Sequence, residues 1–352
     1  MTAIDVAGFF QGVWAQIADA EGAAGERSER WFKIAGCTLR VRFIGMNLLK
    51  VVIPALSHLE TAPSKLDADL TLHCWDCKSL GMELPKAPVS IEAFKPRGEV
   101  QGLNNARFHA AFEIGPRLLS LMDAHRREAV YCVGDAANIP RYVVAEPIRG
   151  ILSWFMRENG RQLLHAGAVG TPGGGVLLLG PGGAGKSNTA LGCLASDLRY
   201  ASDDFCAVST DGSPVVYSLY STGKTHEGDW DRHPFLAQLA PNLDPERVEK
   251  AIYFLNDAAP HKLIPSFPLK AILFPRKAGA TCEIRPIPAV TALRIAAPGT
   301  AKLLPDAGAE VLRCLAKLVR AVPCYELLLG SRPELIPALI SELLATGHVG
   351  VL

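Results

Sequence analysis

The sequence predicts an α/β domain that follows an α+β domain. Three observations support this fold class. The chain has 352 residues, which is long for a single hydrophobic core and therefore predicts two domains. Residues 31–54 alternate apolar with polar side chains, which is typical of β-strands. Residues 163–203 instead follow a strand, loop, helix, strand order, which is typical of an α/β domain.

The first domain is predicted to span residues 1–145. Residues 31–54 are rich in Val, Ile and Phe and are predicted to form antiparallel strands, and residues 70–75 continue the pattern. Residues 107–113 and 129–133 have the same character, so we expect them to be further strands of the same sheet. A sheet of this kind indicates an α+β domain.

The second domain is predicted to span residues 146–352 and to begin with a helix. Residues 147–158 place apolar side chains at helical spacing, with Pro147 in the first turn and Gly160 as the stop. The elements expected after it are strands at 163–169 and 176–179, a helix from 185 to about 195, a strand ending near Asp203, and a loop at 296–298. One crossover connection would bring the strand that ends near Asp203 beside the strand at 176–179.

A glycine-rich motif lies between the predicted strand at 176–179 and the helix that follows. Residues 180–187, GPGGAGKS, match G-x-x-x-x-G-K-[ST]. Glycines let backbone N–H groups approach phosphates, Lys186 would reach the β- and γ-phosphates, and the Ser187 hydroxyl would bind Mg²⁺. The alternative is a glycine turn that only joins a strand to a helix. The motif predicts ATP and Mg²⁺ as ligands, and the predicted nucleotide contacts are Gly180, Gly182, Gly183, Ala184, Gly185, Lys186, Ser187 and Asn188.

Two adjacent carboxylates, Asp203 and Asp204, follow the predicted strand after this helix. One carboxylate that holds Mg²⁺ is enough for many nucleotide hydrolases. A second one supplies a base that can accept the proton of an attacking hydroxyl, which favours transfer to an alcohol over hydrolysis. The alternative interpretation is a polar strand end or a helix cap.

His165 lies in the sequence LLHAGAV, ahead of the glycine-rich motif. An imidazole at this position could approach the aspartate pair and influence its protonation. A histidine that packs within a strand and bonds to the backbone is equally consistent with the spacing. Both interpretations stay open at this point.

The segments HAGAV, GGGVLLLGPGGAGKS and RYASDD together resemble the catalytic core of HPr kinase/phosphorylase, which is related to phosphoenolpyruvate carboxykinases. The chain is also similar to HPr-kinase-like proteins found beside peptide-modifying systems, including kinases of lasso precursor peptides. The resemblance covers about residues 160–330 and implies a P-loop kinase core of the HPr kinase/phosphoenolpyruvate carboxykinase type. The roles that it implies are general base for Asp203, metal ligand for Asp204, catalytic-site histidine for His165, and phosphate contacts for Arg276 and Lys270.

One part of the family pattern is missing. The signature rich in Arg-Gly-Leu-Gly after the aspartate pair is absent, and SLYSTGKTHEGD occupies the region instead. This departure argues against HPr itself as the substrate. Lys224 and His226 in this segment could contact phosphate or substrate, and a solvated loop explains the segment equally well.

The sequence therefore predicts a kinase that transfers the ATP γ-phosphate to a serine or threonine hydroxyl of a peptide or small protein. Two alternatives remain open. One is a small-molecule kinase or a carboxykinase-like enzyme with the same core. The other is a nucleotide-responsive binding module that transfers no phosphate.

Composition limits the partners. The formal net charge of +1 gives no electrostatic footprint for nucleic acid or an anionic membrane. No segment approaches the roughly 18 uninterrupted apolar residues of a membrane span, and the nine cysteines are scattered. We therefore expect a cytoplasmic protein without nucleic-acid or membrane partners, while the acceptor and a homo-oligomeric state are left open.

Overall fold

A computed structural model describes residues 4–226, 234–237, 239, 249–301, 303–305 and 308–347. The chain forms two compact units. The first contains the chain up to Asn159 together with the short segment around Pro305, and the second begins at Gly160. The division lies later than residue 145 because the helix at Arg149–Glu158 counts with the first unit. Each unit combines helices with a β-sheet, so the protein is a mixed α/β fold.

The first unit contains a seven-stranded mixed sheet in the order β3-β1-β2-β4-β7-β6-β5. Strand β4 pairs in parallel with β2 and β7, and the other pairs are antiparallel. The elements in chain order are α1 (Val6–Ala23), β1 (Arg27–Ile34), β2 (Cys37–Ile44), α2 (Asn47–Leu56), β3 (Glu60–Thr61), β4 (Leu70–Asp76), β5 (Phe108–Glu113), β6 (Leu118–Asp123), β7 (Glu128–Val133), α3 (Arg141–Ala145) and α4 (Arg149–Glu158).

The strand predictions for this unit are confirmed at β1, β2, β4, β5 and β7, and two parts are wrong. Strand β4 was expected to be antiparallel like its predecessors, whereas it pairs in parallel with β2 and β7. Residues 47–54 were expected to continue the antiparallel strands, whereas Asn47–Leu56 forms α2. The buried side chains of this helix are Leu48, Val52, Ala55 and Leu56. Their spacing of three and four residues places them on one helical face, which outweighs the β-propensity of the Val and Ile residues.

The buried side chain of His73 in β4 makes the stability of the protein depend on pH. Burial lowers its pKa from 6.5 to about 4, and the charge of Arg42 acts in the same direction. As the pH falls below 6.5, the unfolded chain therefore takes up a proton that the folded chain does not accept until about pH 4. Between pH 7 and pH 5 the free energy of unfolding should fall by about 2 kcal/mol through this one residue.

Urea unfolding at pH 7 and at pH 5 checks this prediction. His73→Gln should lose that part of the pH dependence, whereas His125→Gln, a change at an exposed position, should keep it. An equal pH dependence in wild type and His73→Gln would contradict the assignment.

The second unit contains a nine-stranded mixed sheet. Its main path is β11-β9-β10-β16-β13-β12-β8, and β18 pairs with both β16 and β17. Strands β14 and β15 form a separate antiparallel ribbon. The elements in chain order are β8 (Arg161–His165), β9 (Gly167–Thr171), β10 (Gly174–Leu178), α5 (Lys186–Gly192), β11 (Arg199–Ser202), β12 (Phe205–Ser209), β13 (Val215–Ser218), β14 (Thr222–Thr225), α6 (Pro234–Ala237), β15 (Ala251–Phe254), α7 (Leu255–Ala258), β16 (Ser266–Lys277), β17 (Glu283–Pro286), α8 (Ala289–Ala301), α9 (Gly308–Ala321), β18 (Cys324–Leu329) and α10 (Ile336–Thr346).

Three expectations for this unit are corrected. Residues 163–169 form parts of two strands, because the backbone N–H of Ala166 bonds to Asp204 and the chain then changes partners, from β12 to β10 and β11. Strand β11 is not adjacent to β10, because β9 lies between them. Residues 296–298 belong to α8, with Pro298 inside the helix.

The second unit has its own hydrophobic core around α5 and α10, which includes Leu191, Leu273 and Ile340. The predicted helix after the glycine-rich motif is confirmed, with its last turn, Cys193–Ala195, in the 3₁₀ conformation. Across the described ranges, no helix combines the length and the apolar character that a bilayer crossing requires.

Candidate functional site

The glycine-rich segment 180–185 connects the end of β10 to the start of α5. Gly183 and Gly185 have φ angles of +76° and +109°, which side chains with a Cβ rarely adopt. A Cβ at Gly185 would also lie 2.3 Å from Cδ1 of Leu329. The turn therefore requires glycine at these positions. The space beside Gly182 and Gly183 is open, which lets a ligand approach their backbone N–H groups closely.

Lys186, the first residue of α5, folds back over this loop. Its Nζ donates hydrogen bonds to the carbonyl oxygens of Gly180 at 2.9 Å and Pro181 at 3.2 Å. Burial lowers the pKa of Lys186, while the negative charges of Asp204 and Asp203 act in the opposite direction. The ammonium group thus lies within the field of both carboxylates and beside the loop.

Asp204 is bound by two basic side chains. Its Oδ1 lies 2.5 Å from Nε2 of His165, and its Oδ2 contacts Nζ of Lys224. The Asp204 side chain remains 21% exposed, so a ligand can reach it. Because the carboxylate is partly accessible, it can serve as a ligand for Mg²⁺ when the metal replaces one of these partners.

Asp203 is held more tightly than Asp204 and is only 3% exposed. Its Oδ1 accepts a hydrogen bond from the Tyr200 hydroxyl at 3.0 Å, and its Oδ2 accepts one from the backbone N–H of Lys224 at 2.9 Å. Burial raises the pKa of Asp203, the Lys224 charge lowers it, and the Asp204 charge raises it again. The net raised pKa makes this carboxylate a better proton acceptor than an exposed aspartate.

A short segment between β8 and β9 joins the carboxylates to the loop. The N–H of Ala166 donates to the carbonyl oxygen of Asp204 at 2.8 Å, and the Ser202 hydroxyl donates to the carbonyl oxygen of Ala166 at 3.0 Å. The next residue, Gly167, lies against the backbone of Lys186, since a Cβ there would be 3.5 Å from the Lys186 carbonyl oxygen. The structure therefore brings the loop and the aspartate pair together.

The C-terminal end of α8 covers His165. The backbone N–H of His165 donates to Oγ1 of Thr300 at 2.9 Å. A Cβ at Gly299 would lie 3.4 Å from the carbonyl oxygen of Gly180 and 3.9 Å from Nδ1 of His165. Gly299 is thus a neighbour of both the His165 imidazole and the glycine-rich loop. The Nδ1 atom of His165 is buried and has no hydrogen-bond partner among the described residues.

Comparisons with known proteins identify no family for this chain. No family model matches the chain, and no curated protein matches it. The functional argument therefore depends on the residues of the site.

The described residues contain no group of three or more His, Cys, Asp or Glu side chains arranged to hold a metal ion. Mg²⁺ does not require such a group, because proteins commonly bind it through one or two carboxylates together with substrate phosphates and water. Asp204 and the hydroxyl of Ser187, the second residue of α5, are the side chains that suit this arrangement.

A cavity of about 460 Å³ opens beside the first turns of α5. Asn188 and Thr189 form its α5 side, while Lys277, Ser331 and Pro337 contribute from the opposite side. Its size suits a small organic group. Asn188, a predicted nucleotide contact, therefore lines an open space next to the loop.

The two basic residues predicted on β16 lie in different environments. Arg276 follows Pro275, which packs near Gly185, and its guanidinium bonds to Glu326 at 2.5 Å and 3.2 Å. Its role as a phosphate contact stays a prediction. The side chain of Lys270 lies against Gly174 at the start of β10, whereas the loop follows the end of β10, so Lys270 is away from the loop.

Sequence reasoning missed three residues of the site. The charge of Lys250, just before β15, contributes to lowering the pKa of Lys186. The Tyr200 hydroxyl bonds to Asp203, and Thr300 bonds to His165. Tyr200 precedes the aspartate pair and could have been examined, but Lys250 and Thr300 reach the site only through long-range packing and carry no local signal.

Proposed function

We propose that this protein is an ATP-dependent kinase that transfers the γ-phosphate to a serine or threonine hydroxyl of a peptide or small protein. The observation that carries the proposal is the pair of carboxylates, Asp203 and Asp204, held beside the loop that ends in Lys186. A phosphate loop alone is shared by hydrolases and binding modules. An additional buried carboxylate with a raised pKa favours transfer to an alcohol.

The loop residues bind the nucleotide in this proposal. Backbone N–H groups of Gly182, Gly183 and Gly185 contact the phosphate oxygens, and Lys186 exchanges its bonds to loop carbonyls for bonds to the β- and γ-phosphates. Ser187 and Asp204 would hold Mg²⁺, which neutralises charge on the phosphate oxygens. The nucleoside part of ATP would occupy the cavity lined by Asn188.

Asp203 acts on the acceptor. The acceptor oxygen attacks the γ-phosphorus, its proton passes to a carboxylate oxygen of Asp203, and the bond between the γ-phosphorus and the bridging oxygen breaks to release ADP. His165 keeps Asp204 in position through its 2.5 Å contact. The resemblance to HPr kinase/phosphorylase supports the same roles for Asp203, Asp204 and His165. We also propose that the first unit helps to recognise the acceptor.

Incubation with magnesium and γ-labelled ATP tests the proposal. The purified protein is combined with the proteins encoded by neighbouring genes, and mass spectrometry locates the label. Phosphoserine or phosphothreonine in one of these proteins supports the proposal. Label found only in free phosphate, or only in a small metabolite, would contradict it, and the second outcome would favour a small-molecule kinase.

A further inference from the structure

Lys224 contacts both carboxylates of the site from a strand outside the main sheet. Its backbone N–H donates to Oδ2 of Asp203 at 2.9 Å, and its Nζ contacts Oδ2 of Asp204. The Lys224 side chain is only 13% exposed. The ammonium group is therefore directed into the site instead of into solvent.

The ribbon of β14 and β15 fixes this position. Lys224 pairs with Ile252 of β15, and the neighbouring Gly223 packs on α5, where a Cβ would lie 2.6 Å from Cδ2 of Leu191. The Tyr200 hydroxyl also lies 2.6 Å from the carbonyl oxygen of Thr222 and shares its single proton between this oxygen and Asp203. The backbone of Lys224 is thus anchored on both sides, while its four-carbon side chain keeps the freedom to change partners.

The Nζ of Lys224 engages an oxygen of the residue that would hold Mg²⁺. Two cations at one carboxylate oxygen repel each other, and more strongly in a partly buried site than in water. A divalent ion that approaches Asp204 in the absence of nucleotide must therefore displace the ammonium group. A bound triphosphate changes this balance, because it offers Lys224 new anionic partners.

We propose that Lys224 is a displaceable cation that occupies Asp204 in the nucleotide-free protein and moves to the triphosphate when the metal–nucleotide complex binds. The inference rests on the proposed function of the same site. It makes the affinity for metal depend on nucleotide, and the affinity for nucleotide depend on metal by the same factor. Lys224 thus prevents the metal from binding alone and contacts the nucleotide once the nucleotide is bound.

Binding of Mn²⁺ to the nucleotide-free protein, followed by electron paramagnetic resonance, tests this inference without any measurement of activity. Lys224→Met keeps the backbone bond to Asp203 and removes the competing charge, so it should bind Mn²⁺ about tenfold more tightly than wild type. Lys224→Arg retains the charge and should remain close to wild type. Adding Asp204→Asn to Lys224→Met should abolish the gain.

Lys262→Met is the matched control. The Nζ of Lys262 bonds to the carbonyl oxygen of Ser196 at 2.8 Å and contributes nothing to the contacts of Asp204 described above. This variant should leave Mn²⁺ affinity unchanged. A second titration measures metal-free ATP, which Lys224→Met should bind several-fold more weakly because the ammonium group is missing.

An unchanged or weaker Mn²⁺ affinity in Lys224→Met would overturn the inference, and so would an equal gain in affinity in Lys224→Arg, which keeps the charge. Failure of the proposed function has a different signature. In that case wild type neither binds ATP nor transfers phosphate, whereas the competition between Lys224 and Mn²⁺ at Asp204 can still be measured.

Discussion

Replacing Lys186 with methionine is expected to lower the rate of phosphate transfer by about a thousandfold and the affinity for ATP by about 10- to 100-fold. The ammonium group lies beside the loop and is already oriented by the carbonyl oxygens of Gly180 and Pro181. Methionine has a similar length and no charge, so the fold should persist. Transfer assays and calorimetric titration with ATP measure the two effects.

Lys270→Met is the control for this change. It also removes a lysine from the second unit, at the far end of β10 from the loop. Transfer and ATP affinity should both stay at the wild-type level. Equal losses in Lys186→Met and Lys270→Met would show that the losses follow from removing any positive charge of the second unit. Wild-type transfer and ATP affinity in Lys186→Met would contradict the assignment of Lys186 to the nucleotide site.

Asp203→Asn should reduce the transfer rate by about a thousandfold while ATP affinity changes little, because the base acts only on the acceptor proton. The surroundings of Asp203 tolerate an amide. The Asn NH₂ can donate to the Tyr200 oxygen, whose proton then goes to the carbonyl oxygen of Thr222, 2.6 Å away. The amide oxygen can still accept the N–H of Lys224.

Asp211→Asn provides the matched control, since the Asp211 side chain is 81% exposed and its nearest charged partner is Lys317 at 3.8 Å. Its transfer rate should equal that of wild type. Comparable transfer by Asp203→Asn and wild type would remove Asp203 from the role of base, and a large loss of ATP affinity in Asp203→Asn would assign it to nucleotide binding instead.

Local patterns in the sequence predicted most strands and the loop, because each depends on neighbouring residues. Alternation identified β1 and β2, and Gly180, Gly183 and Gly185 of the motif have the positive φ angles that its turn needs. The strand prediction for residues 47–54 is wrong because a run of Val and Ile residues favours a strand locally. Burial of every third or fourth side chain instead stabilises the helix α2.

The strand order of the second sheet and the contacts of Lys224 and Lys250 depend on long-range pairing, so the sequence did not predict them. The insertion of β9 between β10 and β11 depends on bonds formed across the sheet, and no residue of the crossover signals it. Lys224 was identified only as a candidate contact, and its partner remained unknown until the ribbon of β14 and β15 was seen. Lys250 reaches the site through the same ribbon, beside a strand without a recognisable motif.

The central claim is that the loop and the aspartate pair form a single binding site for magnesium and nucleotide. Calorimetric titration of a non-hydrolysable ATP analogue with magnesium tests it in wild type, Lys186→Met, Asp204→Asn and the double variant. The account predicts one site per chain and non-additive losses, with a coupling of about 0.5–3 kcal/mol between the two positions. Absence of binding heat in wild type, or strictly additive losses, would contradict it.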